Sequence, residues 1–109
     1  MMEISFDEFK KIEMKIGKVI DVQDIPNSRN LIKLIVDFGN EKRQAIAGLK
    51  NYFKKEDLIG KKFVFVTNLE KKKFMGEISE CMILAVEDEN KNLSLIIPEK
   101  DIKEGSRIR

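Results

Sequence analysis

The stretch "NLEKKKFMGEISECM", residues 68–82, holds the densest run of positive charge in the chain. Lys71, Lys72 and Lys73 stand between an apolar segment that ends at Leu69 and another that begins near Cys81. Ammonium groups at that density suit the phosphates of a polyanion, each contact adding a salt-dependent increment to binding. A charge run in a connection is equally the composition of a solvated loop. Around the lysines, Asn68, Gly76, Ser79 and Met82 add a carboxamide, a flexible point, a hydroxyl and a soft apolar side chain. That mixture suits reading an exposed base edge together with its phosphate, although Met82 in a strand also fits a core position. A further cluster, "KRQAIAGL" at 42–49, opens a strand with Lys42 and Arg43 and puts Gly48 near its end. A glycine there marks a bulge, a packing contact or the close approach of a ligand.

Other chemistries are poorly served. The chain has no histidine, so the commonest general base and the commonest transition-metal ligand are missing. Its single cysteine, Cys81, allows no intramolecular disulfide and no zinc-type ligand set. Within "CMILAV" that residue reads as a small buried hydrophobe. Asp37, Glu87 and Asp88 fall at strand ends and turns, with neither a nucleophile nor an oxyanion donor paired to them. Phe38, Phe63 and Phe65 lie in strand patterns that bury them, so base stacking on exposed aromatics is not expected. The expectation is a binding module, not an enzyme, with no cofactor and no metal.

At 109 residues the chain supports one domain, spanning 1–109, with one modest core. Apolar residues make up 42% and charged residues 37%, the balance of a folded globular protein. The net charge of +2 hides an asymmetry, because residues 29–82 carry 12 basic and 7 acidic side chains while the flanks are acidic. No apolar run approaches the roughly 18 residues of a membrane span, and "MMEISFDEFKK" lacks the layout of a signal peptide. A cytoplasmic protein without a membrane partner is expected.

The elements that must hold these residues are short. In "ISFDEFKKI", Ser5 and Glu8 form a capping box flanked by Ile4 and Phe9, which predicts a helix from about Phe6 to Lys11. From Ile12 the period changes to two: Ile12, Met14, Ile16, Ile20 and Val22 share one parity, with a bulge or bend expected near Gly17 and Lys18. "DIPNSRN" supplies a turn. "LIKLIVDF" then puts Ile32, Leu34, Val36 and Phe38 on one face, and "GNEK" joins it to the next strand as a hairpin. Residues 51–59 predict a short helix, with Asn51 as a cap and Gly60 as its stop. "KFVFVTNL", "ECMILAVED" and "LSLIIP" complete about six strands and two short helices, a pattern favouring a small closed barrel over a parallel sheet.

The order of these pieces closely resembles the tRNA-binding domain family. The resemblance is carried by "IEMKIGKVIDVQDIPNSRNLIKLIVDFG", "RQAIAGLKNYFKKEDLIGKKFVFVTNL" and "KFMGEISECMILAVED", and it covers nearly the whole chain. It implies an all-β fold: a five-stranded OB barrel with a short N-terminal helix, a short helix between strands 3 and 4, and extra C-terminal strands that build a dimer interface. The family includes stand-alone tRNA-binding proteins, the C-terminal extension or beta subunit of methionyl-tRNA synthetases, and export-chaperone-like relatives. By resemblance, Lys33, Arg43, Asn68, Lys73, Gly76, Ser79 and Met82 match positions on the tRNA-facing surface or its support, and charge adds Lys71 and Lys72. The partners implied are tRNA, a second copy of the chain and an aminoacyl-tRNA synthetase; the alternative is an export-related chaperone that binds peptide. Ile25 stands where the family often has histidine and Asn30 where it often has lysine, which takes weight from residues 25–30 as an RNA contact.

Overall fold

The computed structural model describes residues 2–109, and among these are nine strands and two helices. Helix α1 (Phe6–Lys10) starts as its residues dictate: the Glu8 amide donates to Ser5 Oγ at 3.1 Å and the Ser5 amide to Glu8 Oε1 at 3.3 Å. Strands β1 (Met14–Asp24), β2 (Ile32–Asp37), β3 (Lys42–Ala47), β4 (Lys62–Val66) and β7 (Met82–Ile83) form one curled antiparallel sheet in the order β3-β2-β1-β4-β7. Helix α2 (Lys55–Leu58) sits between β3 and β4 and sends Leu58 fully into the core. This is the OB-type all-β architecture that the resemblance implies.

The long first strand curves, but not where its glycine suggests. The bulge falls between Val19 and Asp21, and it reverses the alternation. Gly17, Val19 and Val22 therefore face the barrel interior, whereas Ile16 is buried on the opposite side under the C-terminal segment, and Ile20 is partly exposed. The single parity expected from Ile12 to Val22 fails for this reason. Gly17 answers to packing: a Cβ there would lie 2.5 Å from Val36 Cγ1 and 2.7 Å from the Phe38 ring. Phe38 in turn meets Phe65 edge-on, with centroids 5.6 Å apart.

Other expectations hold or shift by a turn. Ile32, Leu34, Val36 and Phe38 are all buried. In the turn at 25–28 the Ser28 amide donates to the Ile25 carbonyl at 3.1 Å, with Pro26 and a left-handed Asn27 (φ 66°) at its centre. Ile25 itself is core. The second helix is capped from Lys54, whose amide donates to Asp57 Oδ2 at 2.9 Å, and not from Asn51. Gly48 lies beyond β3, and a Cβ on it would meet only Asn30 Nδ2, at 4.0 Å.

The largest departure lies at 71–79. Residues read as a loop form a hairpin, β5 (Lys72–Phe74) and β6 (Glu77–Ser79), joined by Met75 (φ 52°) and Gly76 (φ 85°). Two left-handed central residues make a type I′ turn, whose twist matches that of the flanking strands. After β7, strands β8 (Ala85–Glu87) and β9 (Leu93–Leu95) form the extra C-terminal hairpin. The remaining chain runs back along β1, where the Ile16 amide donates to the Ser106 carbonyl at 2.9 Å and the Ile108 amide to the Met14 carbonyl at 2.9 Å.

Candidate nucleic-acid interface

The β5–β6 hairpin stands against the free edge of β3. Residues 78–81 bond that edge directly: the Glu80 amide donates to the Gln44 carbonyl at 2.9 Å, and the Gln44 amide to Glu80 Oε1 at 3.0 Å. The Gln44 side chain donates to the Ile78 carbonyl at 2.7 Å. Ser79 is central to this seam, since its hydroxyl accepts from the Ile46 amide and donates to the Cys81 carbonyl, both at 3.0 Å. Lys33 on β2 completes it, with Nζ 3.0 Å from Glu77 Oε1.

Strand periodicity then divides the lysine triplet. Lys72 and Phe74 lie on the hairpin face that holds their cross-strand partners Ser79 and Glu77, the face turned to the barrel. Lys73 pairs with Ile78 on the other, outward face. Lys71 precedes the strand; its side chain is 69% exposed and its ammonium lies 4.0 Å from Glu80 Oε2, a weak surface pair. Among the described residues neither Lys72 nor Lys73 forms an ion pair, and Lys72 Nζ lies 5.4 Å from the centroid of the Phe74 ring. The three lysines thus lie on or just before one two-stranded arm, Lys73 on its outward face and Lys72 on the face turned to the barrel.

The remaining candidates take other places. Arg43 enters the end of the barrel, where its guanidinium donates to the Thr67 carbonyl, to the Glu80 carbonyl at 3.4 Å and to Glu41 Oε1. Asn68 is engaged at both ends of its carboxamide: Oδ1 accepts from the Glu13 amide at 2.8 Å and Nδ2 donates to the Lys11 carbonyl. It fixes the entry to β1. Gly76 forms the hairpin turn, and Met82 is 46% exposed beside the hairpin. The structure brings Lys33, Lys71, Lys72, Lys73, Gly76, Ser79 and Met82 together around one arm, while Arg43 and Asn68 secure the barrel beneath it. Gln44, Glu77 and Glu80 hold the arm in place, and no sequence signal singled them out because each acts on a partner more than 30 residues away.

Beside this seam, Cys81 is buried and its thiol pushed up to about 12 by desolvation. At the same end of β4, Thr67 donates its hydroxyl to Glu13 Oε1 at 2.6 Å; that bond, aided by Lys15, holds the Glu13 carboxyl below its usual range. Among the described residues no cluster of His, Cys, Asp or Glu is placed to hold a metal ion, and no helix is long and apolar enough to cross a membrane.

Comparison with known proteins adds the following. The family described as "Putative tRNA binding domain" matches residues 14–107. Methionine–tRNA ligase of Methanocaldococcus jannaschii is 48% identical over 109 residues, all of this chain and 17% of the ligase. The ligase of Thermococcus onnurineus is 45% identical over 106 residues, 97% of this chain and 14% of the ligase. The chain therefore spans about a sixth of the length of these relatives. Among solved structures, a MetRS-related protein from Pyrococcus horikoshii superposes with a TM-score of 0.94 at 41% identity, covering all of both chains. The chaperone CsaA of Bacillus anthracis superposes with a TM-score of 0.87 at 28% identity, covering 99% of this chain and 100% of the other.

Proposed function

The chain belongs to the tRNA-binding domain family, and on that premise we propose that it binds tRNA by shape, without catalysing a reaction, through the lysine-bearing β5–β6 arm. The observation that carries this reading is the arm itself: Lys71, Lys72 and Lys73 on a hairpin locked to β3, two of them with no ion-pair partner among the described residues. Phosphate contacts position a nucleic acid without reading its sequence, so recognition rests on where the arm holds its charges. Lys33, Arg43, Asn68, Gly76 and Ser79 act in this account by holding the arm and the barrel in register, since their polar groups or turn geometry are already committed.

A homodimer doubles the contact. Supporting that reading, Val86, Ile96 and Ile97, at or after the C-terminal hairpin, are 52%, 37% and 63% exposed, an apolar surface that a second copy covers. The likeness to methionine–tRNA ligases supports a role beside such an enzyme in the cytoplasm, delivering tRNA to a catalytic body elsewhere. The likeness to the CsaA chaperone favours a second reading, in which exposed Leu69, Met75, Ile78 and Met82 hold extended peptide. Competition separates the two: tRNA binding displaced by folded tRNA, but by neither linear RNA of equal length nor an apolar peptide, supports shape recognition. Equal displacement by linear RNA overturns it, and peptide binding without tRNA binding establishes the chaperone reading.

A further inference from the structure

Between the inner face of the β5–β6 hairpin and β3 lies a half-open cavity of about 140 Å³, walled by Ile46, Leu69, Phe74, Cys81 and Met82, with Lys72, Glu70, Ser79 and Glu80 as its polar lining. Its lining is mostly apolar, yet Leu69 and Met82 are 51% and 46% exposed, so it opens to solvent beside the lysines. Cavities of roughly 150 Å³ take a single benzene ring. Lys72 Nζ stands 5.4 Å from the Phe74 centroid, which places an ammonium next to an aromatic wall.

We propose that this cavity receives one unpaired nucleobase of the bound RNA, packed between the Phe74 ring and the Met82 thioether while Lys72 neutralises that nucleotide's phosphate. The inference rests on the tRNA-binding reading and names what the inner face of the arm takes. A flat apolar ring beside an anion is the chemistry of a nucleotide, and the slot presents apolar walls and, in Lys72, a cation without an ion pair among the described residues, while the Glu80 carboxylate is engaged by the Gln44 amide and lies near Lys71. Unpaired bases in loops and at ends can be splayed out and stacked on protein side chains, whereas duplex bases cannot. The triplet then divides its work: Lys72 serves the inserted nucleotide, and Lys71 and Lys73 serve the neighbouring backbone.

The test uses the full chain, unmodified tRNA, and a Leu69→Trp variant that fills the cavity from its exposed edge. Loss of the inserted base weakens tRNA binding on the order of tenfold, while the slope of log affinity against log salt becomes shallower by no more than the one Lys72–phosphate contact, about 0.7 to 0.9. In the wild type with methyl-labelled methionine, the Met82 methyl resonance moves upfield on tRNA addition, through the ring current of the inserted base, and a blunt RNA duplex produces no such shift. Unaltered tRNA affinity in Leu69→Trp, or a Met82 resonance that does not move when wild-type protein is saturated with tRNA, overturns the inference and leaves tRNA binding standing. Displacement of the upfield shift by an apolar peptide at equal concentration also overturns it. Absence of tRNA binding by the wild type removes the underlying reading and the inference with it.

Discussion

Lys33 and Glu77 meet across 44 residues of sequence, Nζ to Oε1 at 3.0 Å, and so tie the second strand of the barrel to the arm that carries the lysines. Both side chains are partly buried, at 19% and 33% exposure. Replacing either with alanine costs up to about 1 kcal/mol. The double replacement costs less than the sum, and denaturant unfolding of the four proteins in the cycle measures that coupling. Full additivity would show that the two charges do not hold the arm.

The arm also depends on its turn. Gly76 has φ of 85°, and alanine there is strained by about 1 kcal/mol. Gly76→Ala should speed amide hydrogen exchange in 72–79 and weaken tRNA binding while the barrel strands keep their protection. Met75 at φ 52° carries a similar penalty already, so Met75→Asn should slow exchange in the same segment. Equal exchange in all three proteins would mean that the turn does not control the arm.

Cys81 should behave as a buried hydrophobe. With its thiol pushed up to about 12 by desolvation, it is protonated at pH 8, and a thiol reagent in excess should label it only as fast as the protein opens. Labelling in the native state at the rate of a free thiol would place Cys81 at the surface.

Acid stability has a named contributor. The Glu13 carboxyl is held below its usual value of 4.5 by the Thr67 hydroxyl and by Lys15. A group depressed on folding stabilises the fold fully above its unfolded pKa, and that contribution is lost as pH falls through the folded one. Stability of the wild type should therefore decline below about pH 4.5, and Thr67→Val should decline less steeply over the same range, measured by thermal unfolding. Parallel acid limbs would remove Glu13 from the account.

The sequence carried much of this at short range. The Ser5–Glu8 cap, the inward row Ile32, Leu34, Val36 and Phe38, and the turn around Pro26 follow from local periodicity and propensity. The bulge at Val19 to Asp21 did not, because Gly17 offered a plainer site for curvature while its real role is to leave room for Val36 and Phe38. Strand β5 was hidden by its composition: three lysines read as loop, and Met75-Gly76 lacks the Asn-Gly signature of its turn type. Family resemblance placed Asn68 and Ser79 in the neighbourhood of the arm and the barrel end beneath it. It could not show that their polar atoms are engaged with Glu13, Lys11, Ile46 and Cys81, since those bonds exist only after the barrel closes.

The most direct test of the account is the salt dependence of tRNA affinity in the wild type and in a Lys71→Ala, Lys72→Ala, Lys73→Ala variant. Each lysine–phosphate pair contributes about 0.7 to 0.9 to the log–log slope, so removing all three ammonium groups makes the slope shallower by about 2 or slightly more. That decrease, together with weaker binding at every salt concentration, is the predicted result. A variant that binds with the wild-type slope would contradict the account, returning the three lysines to an ordinary solvated surface.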